Sequence, residues 1–182
     1  MGDKAAGTVY WLTGLSGAGK TTIADGLFER LRADKENVVL LDGDTLRLVF
    51  GNDLAHDEAA RRQSAMRNAR LCHMLSDQGL DVVCATISMW EDCRAWNRAN
   101  ILHYLEIYLR VPLELLSERD PKGIYARAAR GELENVVGVD LPAEEPVTPD
   151  LIIHNHGETT PAGAIEQILE LAAKRQERLD DV

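Results

Sequence analysis

Two periods of apolar residues alternate along this chain. Val9-Tyr10-Trp11-Leu12-Thr13 is a short apolar, β-prone run that predicts a buried strand. From Thr21 to about Arg32 the spacing changes, and Ile23, Ala24, Leu27, Phe28 and Leu31 recur on one side of a helix. The alternation then repeats. Val38–Leu41, Val82–Thr86, Leu105–Leu109 and Leu151–Ile153 predict four further strands. Between them, Asp57 to Ser76 predicts a long helix ending near Gly79, and Trp90 to Leu102 another. Short helices are expected through Arg47 and Leu48 and after Pro112, and a closing helix from Pro161 to Arg178. Strands alternating with helices predict a parallel sheet covered on both faces, with ligands at the C-terminal ends of its strands. No repeat, low-complexity tract or linker divides residues 1–182, so one domain is expected.

The turn after the first strand decides the chemistry. Gly14-Leu15-Ser16-Gly17-Ala18-Gly19-Lys20-Thr21 is a complete G-x-x-x-x-G-K-[ST] loop, lying between a strand and a helix as a phosphate cradle requires. Its glycines let successive backbone N–H groups point inward as an anion nest, and the helix N-terminus adds partial positive charge. Gly14, Ser16, Gly17, Ala18, Gly19, Lys20, Thr21 and Thr22 are therefore assigned to a nucleoside triphosphate, ATP or GTP. Lys20 is expected on the β- and γ-phosphates and the Thr21 hydroxyl on Mg²⁺. The expected fold is an α/β, P-loop NTPase-type three-layer sandwich with a mostly parallel sheet of about five strands.

Composition narrows the partners. The net charge of −10 argues against nucleic acid or an anionic membrane as the main one. No apolar run approaches the roughly 20 residues of a membrane span, and the N-terminus carries no secretory pattern. Cys72, Cys84 and Cys93 are an odd, scattered set with no zinc or disulfide spacing. A cytoplasmic enzyme is expected.

Asp42-Gly43-Asp44 ends the second strand on the phosphate-loop edge of the sheet. Carboxylates there can hold Mg²⁺ through water or accept a proton from an attacking hydroxyl. The same tripeptide suits a helix cap and turn. We assign function to Asp44 because ligands bind at this edge, and because the third strand ends without an aspartate. Residues 119–140 are polar and glycine-punctuated, and Arg119, Lys122, Arg127 and Arg130 crowd their first part. This is expected to be a mobile basic lid that stabilises phosphoryl charge, with Arg119 and Arg127 on ATP and Lys122 at the reacting centre. Arg61, Arg62, Arg67 and Arg70 line the long helix, some as plain surface charges. Arg94 and Arg98 follow the third strand within reach of the site, and Trp90 and Trp96 are expected to pack.

At this point the sequence resembles the adenylylsulfate (APS) kinase family. The phosphate loop through Thr22, Leu41-Asp42-Gly43-Asp44 with Arg47, Asp53-Leu54, Ile87-Ser88, Pro112-Leu113, Arg119-Asp120-Pro121-Lys122-Gly123-Ile124-Tyr125 and Gly138-Val139-Asp140 carry the likeness in order. Family members transfer the γ-phosphate of ATP to the 3′-hydroxyl of APS, and often dimerise. The resemblance implies that Asp44, Arg47, Arg61, Ile87, Ser88 and Lys122 contact the acceptor nucleotide, with Asp44 near the reacting hydroxyl. It implies a small nucleotide substrate, ATP with Mg²⁺, and a homodimer.

The departures carry as much. Two family phenylalanines sandwich adenine; His56 and Val136 stand in their places. Ser64 replaces an asparagine expected to contact the acceptor, and Met89 follows Ile87-Ser88 where the family has proline. Stacking is worth about 1–3 kcal/mol per base, so the missing aromatics point to a different acceptor base. A branch with a similar role phosphorylates cytidine diphosphoramidate, and a pyrimidine needs less stacking surface. The leading expectation is a kinase for the ribose 3′-hydroxyl of such a cytidine nucleotide. The alternatives are a genuine APS kinase, a nucleotide-binding regulator without phosphotransfer, and a small-metabolite kinase.

Overall fold

The computed structural model describes residues 6–180. Five strands form one sheet: β1 (Thr8–Thr13), β2 (Val38–Asp42), β3 (Asp81–Ala85), β4 (His103–Arg110) and β5 (Leu151–His154). Their order is β2-β3-β1-β4-β5, and every pairing is parallel. The expectation of a mostly parallel sheet thus becomes an entirely parallel one. The helices are α1 (Lys20–Asp34), α2 (Gly43–Val49), α3 (Glu58–Ser76), α4 (Glu91–Asn100), α5 (Leu113–Arg119), α6 (Ile124–Ala129) and α7 (Pro161–Asp180).

The period-2 geometry of β1 divides the core. Tyr10 and Leu12 face one layer, packed with Ile23, Leu27 and Ile168 of α1 and α7. Val9 and Trp11 face the other, with Ala65, Ala69 and Cys72 of α3 and Cys93 of α4. The three cysteines are free and buried. Trp90 is buried as packing, under the Arg62 guanidinium 4.4 Å from its ring centroid. Trp96 lies partly buried against His73.

Strand order reverses about β1, whose neighbours are β3 and β4. A crevice opens at such a switch point beyond the strands' C-terminal ends. Gly14 turns the chain out of β1 at φ 149°, where a Cβ would meet the Leu109 carbonyl oxygen at 2.6 Å. Only glycine lets the loop leave the sheet this close to β4.

Several boundaries shift from expectation. Asp57 is the cap of α3 rather than its first turn, accepting from the Ala60 N–H at 2.9 Å. The helix after β3 begins at Glu91 and stops at Asn100; Ile101 is already extended. Strand β4 starts at His103 because its pairing with β1 begins at Thr8. The 119–140 segment packs on the phosphate loop in this structure. It contains α6, buries Tyr125, Val136 and Val137, and donates the Tyr125 hydroxyl to the Ser16 carbonyl at 2.9 Å.

Candidate active site

The phosphate end is built from backbone turns and strand tips. Gly19, at φ 90°, precedes α1, and a Cβ there would collide with the Asn155 amide. Asn155, just past β5, donates to the Ala18 carbonyl at 2.8 Å, and its own carbonyl accepts from Arg119 at 2.9 Å. One residue outside every motif therefore ties the phosphate loop to the lid. Only its place after a strand end signals it in the sequence.

Lys20 folds over its own loop, donating to the Leu15 carbonyl at 2.7 Å. Burial, reinforced by the Lys122 ammonium, lowers its pKa to about 8 against the pull of Asp44 and Asp42. Beside it, the Thr21 hydroxyl donates to Asp42 Oδ2 at 3.1 Å. Asp42 Oδ1 accepts from the N–H groups of Asp44 and Thr45 at 3.0 and 3.2 Å, capping α2. The cap in Asp-Gly-Asp is thus the first aspartate, which leaves the Asp44 carboxylate free for the cleft. It pairs there with Lys122. Both partners are more than half exposed, so the pair adds little to stability.

This cleft is about 560 Å³ and is walled by the phosphate loop, Asp42, Asp44, Arg119 and Lys122. Gly14 lies beneath it rather than on its wall, and Ala18 is wholly buried. Arg127 stands exposed on α6 near Glu132, whose carboxyl is held low mainly by its hydrogen bond from Arg130 and then by Arg127, and it is not among the cleft's wall residues. Thr21, Asp42 and Asp44 form an all-oxygen donor set suited to a hard cation. Among the described residues no group of three His, Cys, Asp or Glu could hold a metal, so such an ion would need substrate phosphates to complete it.

Across Asp44 and Lys122 a second pocket of about 220 Å³ continues the cleft. Arg47, His56, Arg61, Ser64, Asn68, Ile87 and Ser88 line it. Ser88, at φ 26°, exchanges a hydrogen bond with Thr86 at 2.8 Å, and the Ile87 carbonyl accepts from Thr13 at 2.5 Å. A third compartment of about 560 Å³ shares His56, Arg61 and Ile87 and is closed by residues 131–137, including Val136. The acceptor residues expected from the sequence thus meet in two continuous spaces.

Two arginines hold this half together. Arg47 donates to the Leu54 and Ala55 carbonyls, the latter at 3.3 Å. Arg61 donates to the His56 carbonyl at 2.7 Å and to Asn135 at 2.8 Å. They grip three successive carbonyls and so fix His56 opposite the 131–137 segment. Desolvation first, then these two cations, hold the His56 ring below its ordinary pKa, so it stays neutral at neutral pH.

The other helix arginines are structural. Arg62 bridges Glu58, Asp92 and Glu144, and Arg67 pairs with Asp53 at 2.7 Å. Arg70 is an exposed surface charge. Arg94 and Arg98 do not reach the site, contrary to expectation. Both turn to Glu106, at 3.3 and 2.6 Å, inside the sheet-to-α4 layer. A buried carboxylate on β4 outcompetes the cleft for them, and burial still pushes Glu106 up to about 7.

The family model described as adenylylsulphate kinase matches residues 6–154. The chain belongs to the adenylylsulphate kinase family. A cytidine diphosphoramidate kinase of Campylobacter jejuni is 42% identical over 147 residues, 81% of this chain and 85% of that protein. An adenylyl-sulfate kinase of Burkholderia ambifaria is 37% identical over 164 residues, 89% and 90% of the two chains. An APS kinase of Mycobacterium tuberculosis, solved in complex with AMPPNP and APS, superposes with a TM-score of 0.84 at 30% identity, covering 91% of this chain and 97% of its own. The chain is therefore an APS-kinase-like nucleotide kinase, a phosphotransferase acting on a hydroxyl. Among the described residues no helix is long and apolar enough to cross a membrane.

Proposed function

We propose that this kinase transfers the γ-phosphate of ATP to the ribose 3′-hydroxyl of a cytidine nucleotide such as cytidine diphosphoramidate. The observation that carries the reading is the pair His56 and Val136 on the third compartment, where an adenine sandwich needs two broad aromatic faces. A neutral imidazole on one side and an aliphatic wall on the other suit a smaller ring. The C. jejuni relative's activity supports the same acceptor.

In this reading the phosphate loop holds the triphosphate, and Lys20 leaves the Leu15 carbonyl for the β- and γ-phosphates. Thr21, Asp42 and Asp44 would hold Mg²⁺, which supplies charge neutralisation on the phosphates when bound. Asp44 accepts the 3′-hydroxyl proton as the oxygen attacks. Lys122, released from its ion pair with Asp44, follows the charge onto the transferring group, and Arg119 closes the donor side. Arg47, Arg61, Ser64 and Ser88 take the acidic tail of the acceptor.

The test is ADP release from ATP and Mg²⁺ with cytidine diphosphoramidate, cytidine diphosphate and APS as acceptors. Turnover with the cytidine nucleotides and little with APS is expected. Efficient turnover with APS alone would make the chain an adenylylsulfate kinase that tolerates an open clamp, the second reading, which the B. ambifaria relative favours.

A further inference from the structure

Three carbonyls of the phosphate loop are held by side-chain donors. Lys20 takes that of Leu15 at 2.7 Å, the Tyr125 hydroxyl that of Ser16 at 2.9 Å, and the Asn155 carboxamide that of Ala18 at 2.8 Å. A trans peptide is planar, so its C=O and the N–H that follows point in opposite directions. A carbonyl held on one side therefore aims the next N–H to the other. Asn155 grips the loop from behind. Ala18 is wholly buried, and neither it nor Asn155 is a wall residue of the triphosphate cleft, whereas Gly19 is. The Ala18 carbonyl thus points away from the cleft and the Gly19 N–H into it. The two residues fit each other closely, since a Cβ on Gly19 would come within 2.4 Å of Asn155 Nδ2. Asn155 is itself fixed through its backbone. Its N–H donates to the Arg110 carbonyl at the end of β4 at 3.2 Å, and its carbonyl accepts from Arg119 at 2.9 Å. In the scheme above Lys20 leaves its carbonyl for the phosphates, while Asn155 stays.

We propose that Asn155 is a positioning residue for the donor triphosphate, holding the Gly19 N–H toward the phosphates and Arg119 beside them. It touches no phosphate itself. Donors aimed before the ligand arrives need no ordering when it binds, and so contribute more to affinity. Without the carboxamide the peptide between Ala18 and Gly19 is free to turn, and glycine, which adopts either sign of φ, offers little resistance. Asn155 acts on the donor half alone, whichever acceptor the chain uses.

The test is calorimetric binding of inorganic tripolyphosphate with Mg²⁺, a probe that carries the phosphates without base or ribose, alongside KM for ATP in the full chain. Asn155→Ala is expected to weaken tripolyphosphate about tenfold and to raise KM for ATP by the same factor, leaving KM for the acceptor unchanged. A merely structural asparagine would lower the binding stoichiometry and kcat through a smaller folded fraction, without moving either constant. Arg119→Ala separates the two attachments. In that background Asn155→Ala should weaken tripolyphosphate further, because the aim of the Gly19 N–H is lost independently of the arginine. Unchanged constants in Asn155→Ala overturn the proposal, as does a loss that disappears once Arg119 is removed. If Asn155→Ala does not fold, Asn155→Asp decides. It keeps the shape but sets an oxygen against the Ala18 carbonyl, and should weaken tripolyphosphate more than tenfold; unaltered affinity there overturns the proposal equally.

Discussion

The two halves of the cleft are made from different materials. The donor half is backbone: a glycine turn, a helix N-terminus and strand tips, held by Asn155 and the cap Asp42. Its geometry follows largely from local chain conformation. The acceptor half is side chains from α2, α3, the β3–α4 turn and residues 131–137, gripped by Arg47 and Arg61. Under the proposed function, phosphate binding falls to the backbone half and the choice of acceptor to the side-chain half.

The strongest way to break that division is at the junction. Asp44→Asn should lower kcat about a hundred- to ten-thousandfold with every acceptor, measured as steady-state ADP release. A loss confined to one acceptor would place Asp44 in specificity instead. Lys20→Ala should cost about a hundred- to a thousandfold in kcat/KM for ATP, equally for all acceptors. The converse substitution, His56→Phe with Val136→Phe, should raise kcat/KM for APS about tenfold relative to the cytidine nucleotides, with KM for ATP unchanged. If APS binds no better, the base wall is not what sets the acceptor.

Smaller effects sharpen the same contrast. The Lys20 ammonium, depressed to about 8 by burial, is present below that pH and lost above it. The profile of kcat/KM for ATP should be flat up to about pH 8 and then fall, by roughly tenfold per further unit at most, since this parameter reports the free enzyme. A profile that keeps rising through pH 9 would contradict the role given to Lys20. Tyr125→Phe removes the single hydroxyl that docks α6 on the phosphate loop at Ser16. It should cost about 1 kcal/mol of stability, a fall of roughly 2–4 °C in Tm by calorimetry.

Charge clusters show where sequence patterns mislead. Arg94 and Arg98 stand on α4, the helix that follows β3, where the sequence puts them within reach of the site, yet they serve Glu106. In the sequence Glu106 is one polar letter in the apolar run Leu105–Leu109, with nothing to announce which face it takes. Asp42 was read as one half of an ambiguous pair, and hydrogen-bond geometry divided the labour.

Sequence alone determined the alternating strands and helices, the phosphate loop and the place of Asp44 at a strand end, while the missing aromatic clamp was visible only through the family resemblance. These are local properties: hydrophobic period, glycine conformation and motif spacing act within a few residues of chain. Tertiary structure decided the strand order, the docking of 119–140, the turning of Arg94 and Arg98 away from the cleft, and the role of Asn155. Each of these depends on partners distant in sequence, where burial and competition among charges, not local pattern, select which groups meet.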